Sequence, residues 1–246
     1  MASVRVRFLG SGDAFGSGGR FQTCILIETN GYKCLLDCGA SSLIALKGAS
    51  VKPNDIDTIL VTHLHGDHFG GIPFFILDGQ FSRRTKPVLV AGPPGTRTRV
   101  REAMEVLFPG SSTARRLFEV EIEELVEDVP WAHGPLTVTP FEVVHACGAP
   151  PYALRVDLGG KIITYSGDTQ WTDRLVAAAA GADLFICEAY FYDKRVPFHL
   201  DYETLMQNRS KIDCQRIVVT HSAADLVARL PELELEAAYD GLEIAL

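Results

Sequence analysis

The sequence has no C-x-x-C pair, no surplus of basic residues and no apolar run long enough to cross a membrane. Each absence removes a class of explanation. The six cysteines, Cys24, Cys34, Cys38, Cys147, Cys187 and Cys214, are scattered rather than spaced as a disulfide framework or a thiolate metal site. They read as reduced, mostly buried small hydrophobes. Lys and Arg number 23 against 31 Asp and Glu, a formal charge of -8. That balance argues against a surface that grips long nucleic acid through its phosphates, which needs clustered positive charge. The densest basic stretch, Arg97, Arg99 and Arg101 followed by Arg115 and Arg116, is interrupted by acidic residues and reads as a solvated helix face. The opening residues MASVRVRFLG lack the apolar core of a signal peptide, so the expectation is a cytoplasmic protein without a membrane segment.

What is present is a chain of 246 residues, 47% hydrophobic and 22% charged, able to bury a sizeable core. Runs rich in Val, Ile and Leu predict strands at 4–9, 23–28, 34–36, 59–61, 88–90, 136–144, 153–158, 161–165, 184–187 and 217–219. Asn30-Gly31 and Gly159-Gly160 mark hairpin turns. Helical patterns fall between strands, at 42–46, 72–77, 96–107, 172–180, 202–210 and 223–230. The terminal stretch from Leu230 reads as a surface helix followed by a short edge strand, and His133 as a structural residue at a turn. The interleaving predicts a layered α/β architecture with mixed sheets, in one domain covering residues 1–246.

Polar residues recur where the apolar strands end. LLD closes on Asp37, ILVTH on His63, IITYSGD on Asp168, LFICE on Glu188 and IVVTH on His221. In α/β sheets the C-terminal strand ends are where ligands bind, so one shared site is implied. The stretch TILVTHLHGDHFGG is the densest. His63 and His65, two apart, point to one side of an extended backbone, and Gly66 permits a turn after which Asp67 and His68 face a second position. Four ligand-type residues so tightly packed fit two adjacent ions better than one. His145, Asp168 and His221 supply further nitrogen and oxygen donors, with no thiolate.

THLHGDHFGG resembles the H-x-H-x-D-H signature of the metallo-β-lactamase superfamily, and Asp37, His145, Asp168 and His221 match its remaining motifs in order. The resemblance implies an αββα sandwich, two mixed sheets with helices outside. It puts His63, His65, His145 and Asp168 around one metal and Asp67, His68, Asp168 and His221 around a second, with Asp37 holding a ligand in place. Two divalent ions are implied, zinc first, although the donors also accept manganese or iron.

The branch can also be read. The di-iron members carry a glutamate where this chain has His65, and the common zinc β-lactamases a cysteine where it has Asp168. FLGSGDAFGSGGRFQTCILIE, VLVAGPPGT and GGKIITYSGDT are each similar to ribonuclease Z counterparts. The first contains Gly10, Gly12, Gly16, Gly18 and Gly19 but fits no dinucleotide or P-loop register, and reads as a mobile hairpin loop flanking the substrate. By the same resemblance His199 in CEAYFYDKRVPFHLD is the acid that protonates the leaving oxygen and Glu188 orients it. Here Tyr190 stands where the family has threonine, and the spacing is shorter.

The tRNA-processing members carry a long arm between the third-motif histidine and the bridging aspartate. Only a short hairpin separates His145 from Asp168 here. The expectation is therefore a hydrolase acting on a small or cyclic nucleotide-like phosphodiester, or short RNA, through water activated at a dinuclear centre, with Asp67 orienting that water. The alternatives are a ribonuclease Z-like tRNA 3′-processing endonuclease, a thioesterase or lactonase of the glyoxalase II kind, and a non-enzymatic nucleotide sensor. The resemblance also implies a homodimer.

Overall fold

The computed structural model describes residues 3–246. The first sheet begins with β1 (Arg5–Gly10), β2 (Cys24–Thr29) and β3 (Tyr32–Leu36), an antiparallel meander whose second turn is Asn30-Gly31. Helix α1 (Ser42–Gly48) leads into β4 (Thr58–Leu60). The one-turn helix α2 (Gly66–Phe69), helix α3 (Ile72–Phe81), β5 (Val88–Gly92), helix α4 (Thr96–Leu107) and β6 (Val120–Glu124) follow. From β3 to β6 the strands run parallel, as helical crossovers require.

The second sheet starts with the antiparallel strands β7 (Trp131–His133), β8 (Leu136–Glu142), β9 (Tyr152–Leu158) and β10 (Lys161–Tyr165). Helix α5 (Arg174–Ala179), β11 (Leu184–Glu188), helix α6 (Tyr202–Asn208), β12 (Ile217–Thr220), helix α7 (Ala224–Ala228) and β13 (Glu236–Ala237) follow, with β10 to β13 parallel. The chain then returns to the first sheet as β14 (Glu243–Ala245), paired with β1. The orders are β14-β1-β2-β3-β4-β5-β6 and β13-β12-β11-β10-β9-β8-β7.

Strand alternation sorts the core into three layers. Ile25, Ile27, Leu36 and Leu60 meet Val138, Leu154, Ile163, Ile186 and Val218 between the sheets. Leu26, Leu35, Ile59 and Val90 turn outward against α1, α3 and α4 through Leu46, Phe75 and Val100. Phe185, Cys187 and Val219 turn the other way against Leu175, Leu205 and Leu226. This is the expected αββα sandwich. No helix is long and apolar enough to cross a membrane among the described residues.

Two expectations are corrected. The terminal stretch holds no surface helix: after a 3₁₀ turn at Leu230–Glu232 it forms β13 in one sheet and β14 in the other. His133 does stand at its turn: it is the last residue of β7, paired with Leu136 across Gly134-Pro135, and its ring stacks on Trp131. The glycine loop is tied down rather than free. Asp13 accepts bonds from the Phe15 and Ser17 amides, and Asp240 accepts from the Ser11 and Phe21 amides at 2.9 and 2.7 Å.

Beneath the first sheet Arg84 is buried without a carboxylate on it among the described residues. Its guanidinium donates to the carbonyls of Pro53, Ile56, Lys86 and Pro87 and lies over the rings of Phe75 and Phe118. These bonds join the 53–56 turn to the entry of β5. Arg84→Met leaves the four carbonyls without their donor, and about 3–5 kcal/mol of unfolding free energy is expected to be lost in a urea titration. A loss below about 1 kcal/mol would mean that water replaces the guanidinium at little cost.

Candidate metal centre

The expected ligands lie in the segments that follow strands, all at one edge of the two sheets. Asp37 follows β3, His63 and His65 lie between β4 and α2, and Asp67 and His68 are in α2. His145 precedes β9, Asp168 follows β10 and His221 follows β12. The glycines of the HLHGDHFGG segment act differently from one another. Gly66 is helical, and a Cβ there meets nothing. Gly70 and Gly71 have no such room: a Cβ would lie 2.4 Å from the Gly66 carbonyl oxygen and 2.2 Å from that of Gly39. Gly70 thus lets the chain close on the start of α2, and Gly71 lets it pack against the 38–39 turn, where the Gly71 amide donates to the Cys38 carbonyl.

Hydrogen bonds fix the tautomer of three imidazoles. Thr62 donates its hydroxyl hydrogen to Asp37, so at 3.0 Å it accepts from His63 Nδ1. His68 Nδ1 donates to Asp37 Oδ2 at 2.6 Å. His145 Nδ1 donates to the Phe198 carbonyl at 2.9 Å. In each case Nε2 faces the site and, in the neutral ring, carries the lone pair, the arrangement typical of metal-binding histidines.

The ligand atoms form two groups. His63, His65 and His145 converge in one, and Asp67, His68, Asp168 and His221 in the other, with the atoms of each group within 4.8 Å of one another. Asp168 stands between them. Its Oδ2 is 3.9 Å from His63 Nε2 and 4.0 Å from His145 Nε2, while Oδ1 is 3.3 Å from His68 Nε2 and 3.5 Å from His221 Nδ1.

These residues fit divalent ions on two observations. His63 Nε2, Asp168 Oδ1 and His221 Nδ1 are buried and make no hydrogen bond among the described residues. His68 Nε2 and His221 Nε2 face each other at 3.3 Å, each 3.2 Å from Asp67 Oδ2. Two donors bound at about 2.0 Å to one tetrahedral ion lie roughly this far apart.

The electrostatics agree. Burial drives His63 well below the usual imidazole range, and lowers His65 and His145 also, so these rings are neutral. Burial also opposes charge on His68 and His221. The surrounding carboxylates, Asp168 first, outweigh it and hold His68 well above its ordinary value and His221 at about 9. Asp67 and Asp168, against the cost of their own burial, are held well below the carboxylate range by these imidazoles. The carboxylates thus demand positive charge, which bound cations supply with release of those protons.

Glu188, the last residue of β11, and His199 sit at the rim. Glu188 Oε1 is 2.5 Å from His199 Nδ1, and its Oε2 accepts the amides of Thr169 and Leu200. Burial and Asp168 raise the Glu188 carboxyl, whereas for His199 the bond to Glu188 outweighs burial and raises the imidazole. Beside His199 opens a cleft of about 300 Å³, lined also by Gln170, Trp171, Thr204 and Gln207. Two contributions carry no local sequence signal: the grip of Thr62 on His63, and the tie from Asp240 to Ser11, whose carbonyl accepts the His221 amide.

The two-sheet fold and its edge of His and Asp define a ribonuclease Z-like hydrolase of the metallo-β-lactamase fold. A family model described as Anti-Pycsar protein Apyc1 matches residues 4–228, and the chain belongs to that family. It is 26% identical over 235 residues to the ribonuclease Z of Agathobacter rectalis, covering 77% of this chain and 76% of that one. With the ribonuclease Z of Anoxybacillus flavithermus it is 34% identical over 166 residues, covering 65% and 51%. Among solved structures, human tRNase Z, short form, superposes with a TM-score of 0.81 at 25% identity over 98% of each chain. The metallo-β-lactamase fold protein YhfI from Bacillus subtilis gives 0.81 at 19% over 100% of both.

Asp37→Asn removes the charge that holds His68 Nδ1 and puts an amide donor in place of one of the two carboxylate oxygens. Chelator competition is expected to read a 10- to 100-fold weaker zinc affinity, roughly the cost of losing such a partner. Unchanged affinity would mean that the imidazoles are held without it.

Proposed function

We propose that this chain is a phosphodiesterase with two divalent ions, most suitably zinc, acting on a small or cyclic nucleotide-like phosphodiester. His63, His65 and His145 with Asp168 Oδ2 would hold one ion, and Asp67, His68 and His221 with Asp168 Oδ1 the other. When bound, the ions lower the pKa of water and offset charge on the phosphoryl oxygens. Asp67 orients the attacking water through its carboxylate. His199 gives its Nε2 proton to the leaving oxygen as the P–O bond breaks and that oxygen takes the electron pair. Glu188 keeps Nδ1–H in place throughout.

The observation that carries this reading is the Glu188–His199 pair at 2.5 Å beside the His and Asp cluster. A general acid matters for an alkoxide leaving group and has little use for a thiolate, which sets phosphodiesters ahead of thioesters. Small substrates are favoured by the hairpin of β9 and β10, which is all the structure between His145 and Asp168. The 300 Å³ cleft is likewise at the small end of ligand sites. The ribonuclease Z of Bacillus velezensis aligns over 303 positions against the 246 residues here, so that relative carries insertions that this chain lacks. Ligands drawn from both sheets favour residues 1–246 acting as one domain. Six free thiols suit a reducing compartment such as the cytoplasm. A ribonuclease Z-like activity on short RNA is the second reading, favoured by the 26–34% identical relatives.

The test is hydrolysis of bis(p-nitrophenyl) phosphate by the metal-loaded protein beside a glutathione thioester and a lactone. Phosphodiester turnover is expected to dominate and to vanish in Asp168→Ala. On a 3′,5′-cyclic nucleotide His199→Ala is expected to lower kcat by about 10²–10⁴-fold, with a far smaller effect on the p-nitrophenyl ester. Dominant thioester or lactone turnover would overturn the proposal.

A further inference from the structure

His199 lies in the loop between β11 and α6, not on a strand, and Phe198 before it has a positive φ of 70°. Such a residue has no sheet to aim its side chain. One tether is the Glu188 carboxylate on Nδ1. A single hydrogen bond leaves the ring free to rotate about the Nδ1 axis, so it cannot by itself direct Nε2.

The second constraint is aromatic. The Tyr190 ring stacks on the His199 imidazole at 4.5 Å between centroids and 26° between planes. His145 meets the same ring edge-on at 5.0 Å and 77°. Tyr190 is itself fixed: its amide donates to the Leu200 carbonyl at 2.7 Å, its carbonyl accepts the Ala223 amide at 2.8 Å, and Phe191 packs on its ring at 4.8 Å. With Nδ1 on Glu188 and one face on Tyr190, His199 Nε2 is the nitrogen without a hydrogen-bond partner among the described residues. A π face is also a favourable neighbour for an imidazolium.

We infer that Tyr190 is the positioning residue for His199, its ring face holding the imidazole plane so that Nε2 meets the leaving oxygen of a phosphodiester. The inference rests on the proposed role of His199 as acid. It assigns the work to the ring and not to the hydroxyl.

Two measurements test it. In proton NMR of the protein, the His199 ring signals, assigned by their loss in His199→Gln, are expected upfield of ordinary histidine because they lie over the Tyr190 ring. Tyr190→Phe should keep that shift and Tyr190→Leu should abolish it; the absence of the shift in the unaltered protein would overturn the inference without any assay. In kinetics, Tyr190→Leu is expected to lower kcat roughly tenfold on a 3′,5′-cyclic nucleotide, at unchanged KM. The same variant should stay within about threefold of the unaltered protein on bis(p-nitrophenyl) phosphate, whose phenolate needs little proton transfer. Tyr190→Phe should restore both. Equal losses on the two substrates, or a Tyr190→Phe as impaired as Tyr190→Leu, would overturn it. If His199→Ala itself fails to distinguish the substrates, the acid assignment falls, and the NMR result then decides the Tyr190 contact alone.

Discussion

The carboxylate of Asp37 is the point from which the rest of the site is built. Fully buried, it takes the amide and hydroxyl of Thr62 and the Nδ1 proton of His68. Through Thr62 it also fixes the tautomer of His63. One side chain therefore aims lone pairs into both ligand groups, and does so from a backbone held at a φ of 58°. Such a conformation is disfavoured for a non-glycine residue and persists only where the surroundings enforce it. The Asp37 amide bond to the Leu60 carbonyl, and the Cys38 amide bond to the His68 carbonyl, are that enforcement.

The sandwich explains why a site so rich in buried polar groups can exist. Except for His145, each ligand follows a strand whose end is buried on both faces, so position is set by core packing and not by the ligands themselves. The repeated Val-Thr-His makes the point. Leu60 and Val218 face the layer between the sheets, and Val61 and Val219 face the outer helices, so the two histidines emerge from equivalent positions in opposite sheets. Only His221 then needs a positive φ, of 59°, and its amide is taken by the Ser11 carbonyl of the glycine loop. The loop thus supports the second ligand group from behind, and Asp240 supports the loop.

Most of the fold was legible because interior strands of an αββα sandwich are covered on both sides and read as unbroken apolar runs. The misses lie at the edges. β6, β7 and β13 are each the last strand of a sheet, and VEIEE, WAH and EA carry the polar residues that an exposed edge tolerates. The seven ligand-type residues were legible because four lie within one short segment and three follow in order. Thr62 and Asp240 were not: a hydroxyl beside a histidine is common, and the Asp240–Ser11 bond spans 229 positions with no periodicity to announce it.

The site has a deep side and a rim. The Asp37 network, His63 and His68 lie deep and match the superfamily pattern. Tyr190, the short hairpin between His145 and Asp168, and the cleft beside His199 all lie on the rim contributed by the second sheet. Changes at the rim alter which leaving group is met and how it is oriented, while changes in the depth alter whether cations are held at all. Under the proposed function, the Tyr190 ring stacked on His199 places the burden of orientation on groups touching the reacting end of the substrate. For a substrate too small to offer remote contacts, that is where orientation must come from.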